Sequence, residues 1–255
     1  MSSLQILAMA ANGAFVLAEL VVGVRLLALW RRTGRLPEAM AGAGLLLICA
    51  GFPVMIAGGV GRVPSGELSL EAVGVGLAAI GLGITALNVF TWKVFRPHAR
   101  WGAALALGTA AAAAAICAGS LHTLANAPAD ADPIQGASSW WMALRGLFQV
   151  WYVWTGVEAL SEYTRARRRL ALGLSDVVVA NRLLLWGAMG TLGAANNVVA
   201  IALEARGLSP VHDPSAALVL AVNGVGMAVL MVLTLMPPRA YVEFIRGRAE
   251  LVARA

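Results

Sequence analysis

Residues 138–169 read SSWWMALRGLFQVWYVWTGVEALSEYTRARRR, and this stretch predicts how the whole chain is organised. It begins with two adjacent tryptophans, continues through an apolar segment and ends in four arginines within five residues. Tryptophan is enriched where a bilayer meets water, and arginine is enriched in cytoplasmic loops. The two ends lie about 25 residues apart, enough for a helix to cross a hydrocarbon layer of ~30 Å. The stretch therefore predicts a membrane span with a defined direction.

The composition excludes an ordinary soluble domain. The 255 residues are 60% apolar and only 13% charged, with a mean hydropathy of +0.78. Soluble domains are about 45–50% apolar and about 25% charged. The net charge of +6 comes from basic residues clustered in short loops between apolar segments, which is typical of cytoplasmic loops and not of a nucleic-acid-binding surface. We therefore expect an all-α integral membrane protein whose main partner is the lipid bilayer, with no nucleic-acid partner.

Seven apolar segments are long enough to cross a membrane, and proline or glycine marks most of the breaks between them. They cover residues 4–30, 37–60, 69–95, 101–124, 138–163, 174–203 and 214–236. The sequence thus predicts a seven-helix transmembrane bundle over residues 1–236 and a cytoplasmic tail over residues 237–255.

The basic residues predict the orientation of these spans. Fourteen of them follow spans one, three, five and seven, whereas only Arg62 and Arg206 lie in the other loops. Basic loops stay in the cytoplasm, so we expect the N-terminus outside and the C-terminus inside. Acidic residues are predicted in the outer loops, among them Glu67, Asp130 and Asp132. An alanine-rich chain in which arginine far outnumbers lysine also favours a bacterial source, and hence a multi-pass protein of the bacterial inner membrane.

The tail has the pattern of an amphipathic helix. Charged residues recur at spacings of three and four, while apolar residues fall on another face; the charged set is Arg239, Glu243, Arg246, Glu250 and Arg254, and the apolar set is Tyr241, Ile245 and Val252. Such a helix either lies along the inner leaflet as an anchor or binds a protein partner.

Polar side chains inside the spans are the candidate ligand-binding residues. An ionisable group exposed to lipid costs about 2.5 kcal/mol or more, so such groups usually line a cavity or contact a partner. The candidate set is Glu19, Asn88, Arg145, Gln149, Tyr152, Trp154, Asn196, Asn197 and Asn223. The alternative is that these residues only join neighbouring helices.

Depth along spans five and six predicts one ion pair. Counting from the membrane faces, Glu158 and Arg182 both lie in the inner third of their spans, and Arg145 is level with Asn196 and Asn197. Antiparallel neighbours would therefore bring Glu158 to Arg182.

The sequence contains no pattern that predicts a cofactor or catalysis. Cys49 and Cys117 lie within apolar segments without metal-ligand spacing, and no nucleophile–base pair or carboxylate pair can be assembled from the chain. An outer site that joins His122 and His212 is the only metal alternative, and no spacing supports it. We expect no cofactor, no metal and no enzymatic activity.

Seven spans with an outside N-terminus are also the layout of the microbial rhodopsins. A retinal Schiff base there requires a lysine within span seven, where this chain has Asn223, and its single lysine is Lys93 at the end of span three. The layout also resembles the sugar transporters built from three plus one plus three spans. That family has prolines in its first, second, fifth and sixth helices, whereas the only proline inside a span of this chain is Pro53, in span two. Neither family is assigned.

The function that these patterns favour is that of a receptor-like or sensory protein. It would bind a small molecule in an intramembrane polar cavity and signal to a cytoplasmic or membrane protein through its basic loops and tail. Two alternatives stay open: transport of a small solute or ion through a path that uses Glu19, Glu158 and Arg182, and a non-catalytic structural role in a membrane complex.

Overall fold

The computed structural model describes residues 3–59, 68–127, 138–206 and 213–254, and all regular secondary structure among them is α-helical. The helices are α1 (Ser3–Thr33), α2 (Leu36–Ala57), α3 (Leu70–Phe95), α4 (Arg100–Ala125), α5 (Ser138–Ala171), α6 (Val177–Glu204), α7 (Pro214–Leu235) and α8 (Arg239–Arg254). The all-α prediction is confirmed. The predicted loop residues Arg62, Glu67, Asp130, Asp132 and His212 lie outside the described residues.

Six of the described helices are long and apolar enough to cross a membrane, namely α1, α2, α3, α4, α6 and α7. The chain is a multi-pass membrane protein whose apolar helices contact lipid. Helix α5 is not among the six, although its 34 residues make it the longest element described. Its tryptophans lower its mean hydropathy, as do Arg145, Gln149 and Glu158. Hydropathy alone therefore supports six spans and not the predicted seven.

Local chemistry explains where several helices begin and end. Ser69 and Asp176 cap the N-termini of α3 and α6, since their side chains accept hydrogen bonds from the amides of Ala72 and Val178 at 3.3 and 2.6 Å. Helix α1 ends at Gly34 and α5 ends near Gly173, which have φ angles of 68° and 69°. Glycine adopts this left-handed conformation without steric cost, so the chain reverses within a few residues.

The chain folds into two compact units. The central unit is Gly23–Trp151, and the terminal unit combines Met1–Val22 with Tyr152–Ala255. Helices α1 and α5 each contribute one part to either unit. The boundary predicted at residue 236, between a bundle and a tail, stays a prediction.

Glycines bring α2 and α3 into backbone contact within the central unit. A Cβ added at Gly76 would lie 2.7 Å from both the Gly51 carbonyl oxygen and the Met55 amide nitrogen. Two turns further along, a Cβ at Gly83 would lie 2.8 Å from the Gly44 carbonyl oxygen. Residue numbers fall on α2 as they rise on α3, so the helices are antiparallel. Close approach of this kind stabilises helix pairs in lipid, where apolar burial contributes little.

Helix α4 packs along one stripe only. Its buried residues recur at spacings of three, four or seven positions and are Gly102, Ala106, Thr109, Ile116, Ser120 and Leu124. The α4 residue Ala113 contacts α3 at Gly81, and the Trp92 indole donates a hydrogen bond of 3.1 Å to the Ala99 carbonyl oxygen just before α4. The side chain of Leu107 is 72% exposed, as expected of a face turned to lipid.

In the terminal unit, α5 packs antiparallel to α6. Tyr152 lies against Gly193, Gly156 lies against Gly190, and Leu160 lies against Gly187. These three contacts fix the register between the two helices.

Helix α1 packs parallel to α7 in the same unit. A Cβ at Gly224 would lie 2.8 Å from the carbonyl oxygen of Ala11. One turn earlier, Ala8 and Ala11 form a buried cluster with Ala217 and Ala221. Residue numbers rise together along both helices, so the helices run in the same direction.

Substitution of Gly76 tests the glycine contacts. We expect Gly76→Ala to destabilise the protein by about 1–3 kcal/mol, because the new methyl group would overlap the α2 backbone. Gly108→Ala on α4 is the matched control, since nothing lies within 4 Å of a Cβ there. Thermal unfolding of the purified protein should show a lower midpoint for Gly76→Ala alone. Equal midpoints for both variants would contradict the packing described.

Candidate functional site

The terminal unit buries a set of polar side chains within its spans. Glu19 on α1 is 7% exposed, Thr155 and Glu158 on α5 are 0% and 5% exposed, and Asn197 on α6 is 6% exposed. We call these four residues of one unit the polar cluster; they lie at different depths, since the register of α5 and α6 places Asn197 about nine residues, or ~13 Å, from the level of Glu158. Buried polar and ionisable groups at such depth are costly, and they are the residue types that bind ligands or ions within membranes.

Glu19 faces the interior of the terminal unit and not lipid. Its neighbours Leu17 and Leu20 are 59% and 44% exposed, whereas Ala18 and Glu19 are buried. Its carboxyl group lies within electrostatic range of the Tyr152 phenol on α5. A carboxyl group and a hydroxyl group from different helices thus lie in the same region of this unit, and the binding cavity that the sequence predicted around them stays a prediction.

Hydrogen bonding continues the polar region between α5 and α6. The Trp186 indole donates to the Thr155 hydroxyl at 2.8 Å. Thr191 bonds its own helix, donating to the Gly187 carbonyl oxygen at 2.9 Å. The Thr155–Trp186 hydrogen bond was missed in the sequence, because threonine and tryptophan are common in helices that have no site.

The remaining predicted residues of this unit occupy varied positions. Trp154 is buried, and Asn196 is half-buried beside Asn197. On α7, Asn223 is half-buried, and its side-chain oxygen has no hydrogen-bond partner among the described residues. An acceptor in that state favours binding of a donor group or a water molecule.

The observed register does not favour the predicted ion pair. Glu158 lies between the two contacts that Gly156 and Leu160 make with α6, so it is level with residues near 188. Arg182 is about six residues away, or ~9 Å along the helix. Glu158 is also buried, whereas Arg182 is exposed. The pair stays a prediction without support from this geometry.

Three predicted ligand-binding residues belong to the central unit. The fully buried Asn88 donates from its amide nitrogen to the Ile84 carbonyl oxygen at 3.0 Å, and its side-chain oxygen has no hydrogen-bond partner among the described residues. Arg145 and Gln149 are half-buried on the first part of α5. A single cavity that combines these residues with the polar cluster stays a prediction.

The terminal unit also has an open cavity of about 950 Å³ that the sequence did not predict. It lies where the end of α5, the start of α6 and helix α8 come together. Its lining residues include Tyr163, Arg167, Asp176, Asn181, Arg246 and Arg248. We call it the α8 cavity.

Two contacts attach α8 to the start of α6. The Asn181 amide donates a hydrogen bond of 2.9 Å to the Tyr241 hydroxyl, and Arg246 lies 4.0 Å from the Asp176 carboxylate. Asp176 therefore acts twice, because its other oxygen caps α6. The tail helix is confirmed as a helix, and these contacts show it packed against the protein. The polar groups of α8 are visible in the sequence, but they do not predict this packing because their partners are about 60 to 70 residues away.

No group of three histidine, cysteine, aspartate or glutamate residues that could hold a metal comes together in the described ranges. Cys49 and Cys117 are half-buried, and they are not joined in a disulfide. The predicted lack of a metal or cofactor stays a prediction.

The attachment of α8 can be tested with two conservative substitutions. Tyr241→Phe removes the hydroxyl that accepts from Asn181, and we expect a loss of about 0.5–1.5 kcal/mol in the docking of α8. Tyr163→Phe is the control, because its ring contact with Arg167 at 6.0 Å does not need the hydroxyl. Limited trypsin digestion at Arg246 and Arg248 should be faster in Tyr241→Phe than in the wild type or the control. Identical digestion rates would show that the hydrogen bond does not hold α8.

No family model, curated protein or solved structure matches this chain. The candidate sites therefore rest on the chain's own geometry and chemistry. Two features carry that argument, the polar cluster within the spans and the α8 cavity at their ends.

Proposed function

We propose that this chain is a receptor-like protein of the bacterial inner membrane with seven spans, an outside N-terminus and a cytoplasmic C-terminus. It binds a small polar molecule at the polar cluster and signals to a protein partner through α8, without a catalytic step. The observation that carries this proposal is the burial of the Glu19 carboxyl group within a span, in electrostatic range of the Tyr152 phenol on another helix.

The chemistry of the cluster indicates the class of ligand. Glu19 offers a carboxyl group, Tyr152 a hydroxyl and Asn197 an amide. Together they suit a small molecule that has an amine or several hydroxyl groups, since both donate hydrogen bonds to the carboxyl group and hydroxyl groups also accept from the amide and the phenol. Such a ligand would offset the cost of keeping an acid at this depth.

The direction of α1 and α7 supports the seventh span. Parallel helices that both cross a membrane must have an odd number of crossings between them. Helices α2, α3, α4 and α6 provide four, so a crossing by α5 completes the required five. Helix α5 also contacts α6 from Tyr152 to Leu160, well within the apolar part of α6. Its polar residues are then tolerated because they face neighbouring helices.

Helix α6 links the polar cluster to α8. Trp186 bonds α5 at Thr155, and Asn181, five positions earlier on the same helix, bonds Tyr241 on α8. A ligand that shifts α6 relative to α5 would therefore move the attachment point of α8. Small helix shifts are a common way to carry a signal across a membrane protein.

Transport is the second candidate, favoured by the two buried carboxyl groups of Glu19 and Glu158 in one unit. Buried acids in spans are typical of proton- or cation-coupled paths. Accumulation of a bound compound inside proteoliposomes would identify a transporter, and binding without accumulation would identify a receptor.

Replacement of the Glu19 carboxyl group tests the binding site. The protein in lipid nanodiscs is heated with a panel of amines, amino acids, sugars and carboxylic acids, and the unfolding midpoint is recorded. We expect one class to raise the wild-type midpoint and to bind Glu19→Gln about tenfold more weakly, because the amide cannot reproduce the hydrogen bonds of the carboxyl group.

Glu162→Gln is the matched control, since Glu162 pairs with Arg165 at the exposed end of α5. It should bind like the wild type. A compound that stabilises all three proteins equally would exclude Glu19 from the site, and a panel without any stabilising compound would count against a receptor of this ligand class.

Cysteine labelling tests the number of spans. In a background with Cys49→Ala and Cys117→Ala, single cysteines are placed by Ser3→Cys and Leu172→Cys. We expect an impermeant maleimide to label the first in intact cells and the second only in inverted vesicles. Labelling of both in intact cells would show that α5 does not cross.

A further inference from the structure

We infer that the α8 cavity binds the phosphate headgroup of an anionic phospholipid. The cavity involves none of the residues of the polar cluster, so the inference goes beyond the proposed function. It rests on the charge that lines the cavity, on its level at the ends of the spans and on the apolar residues beside it.

The cavity has an excess of positive charge. Among the described residues that line it, Arg167, Arg246 and Arg248 stand against one carboxylate, that of Asp176. That carboxylate already accepts a hydrogen bond from the Val178 amide. It lies 4.0 Å from Arg246, and at this distance most N–H donors of the guanidinium group can still bind another group. Guanidinium groups bind phosphate oxygens in a bidentate geometry. Three of them around one cavity therefore suit an anionic phosphate.

The cavity also lies at the level of a membrane surface. The apolar span of α6 starts at Val177, the apolar span of α7 ends at Leu235, and α8 starts at Arg239 only four residues later. Asp176 and Val177 line the cavity at the first of these points. Basic pockets at the ends of membrane spans are typical sites for anionic lipid headgroups.

Exposed apolar side chains flank the cavity and favour a lipid over a soluble phosphate. Leu172 and Leu174 are each 72% exposed in the turn between Ala171 and Ser175, which both line the cavity. Phe244 on α8 is 59% exposed beside the lining residue Ile245. At the boundary of a bilayer these side chains would contact acyl chains while the arginines hold the headgroup. A soluble anion would leave them in water.

Native mass spectrometry of the full-length protein measures this binding directly. The protein is titrated with dioleoyl phosphatidylglycerol and, separately, with phosphatidylcholine of the same chains. The test variant is Arg167→Gln with Arg248→Gln, which leaves the contact between Arg246 and Asp176 intact. The control is Arg168→Gln with Arg169→Gln, which removes two charges from the same end of α5 but none from the cavity.

We expect the wild type and the control to prefer phosphatidylglycerol. The test variant should bind it at least about tenfold more weakly, because each arginine near the headgroup contributes to binding. Phosphatidylcholine binding should be equal in all three proteins. Equal loss in the control would show general attraction to a basic surface, and no loss in the test variant would overturn the site.

Competition with inorganic phosphate distinguishes a phospholipid headgroup from a soluble phosphate as the ligand of the cavity. Added phosphate should not displace phosphatidylglycerol at comparable concentrations, because it makes none of the apolar contacts. Equivalent displacement would assign the cavity to a soluble phosphate and overturn the lipid assignment. Equal thermal unfolding midpoints for the test and control variants, measured without lipid, would show that a loss of binding does not come from undocking of α8.

Discussion

Contact between helix backbones at glycine is the interaction on which the rest of the structure depends. In lipid, an apolar side chain gains little by moving from acyl chains to another helix, so helices associate where they can approach closely. Gly51 and Gly76 provide this approach in the central unit, and Gly156 and Gly190 provide it in the terminal unit. The second contact determines the register of α5 and α6, and that register brings the Trp186 indole to the Thr155 hydroxyl.

The same packing explains how α5 can be both polar and central. Its Thr155 and Glu158 side chains and the Gly156 backbone face other helices, as their burial shows, whereas Val153 and Val157 are exposed. A hydropathy average over the helix does not separate these faces. The direction of α1 relative to α7 is independent of hydropathy, and for this reason it is the better support for a crossing by α5.

The sequence predicted the helices well because their boundaries depend on local chemistry. Segments predicted at 69–95 and 101–124 are helices Leu70–Phe95 and Arg100–Ala125, with Ser69 as the cap of the first. Contacts between helices were harder to predict. The pairing of Glu158 with Arg182 assumed that depth can be counted from the predicted ends of each span, but the glycine contacts offset that count by about six residues. The docking of α8 depends on Asn181 and Tyr241, whose hydrogen bond no local pattern indicates.

The parallel packing of α1 and α7 is the observation on which the proposed seventh span depends most, because it requires an odd number of crossings between the two helices. Disulfide formation tests this directly in a chain with Cys49→Ala and Cys117→Ala. Parallel packing places Ala8 in one buried cluster with Ala221, whereas antiparallel packing about the contact of Ala11 with Gly224 would place it near Met227. With parallel packing, we expect Ala8→Cys to form a disulfide rapidly with Ala221→Cys and slowly with Met227→Cys. The reverse order would contradict it.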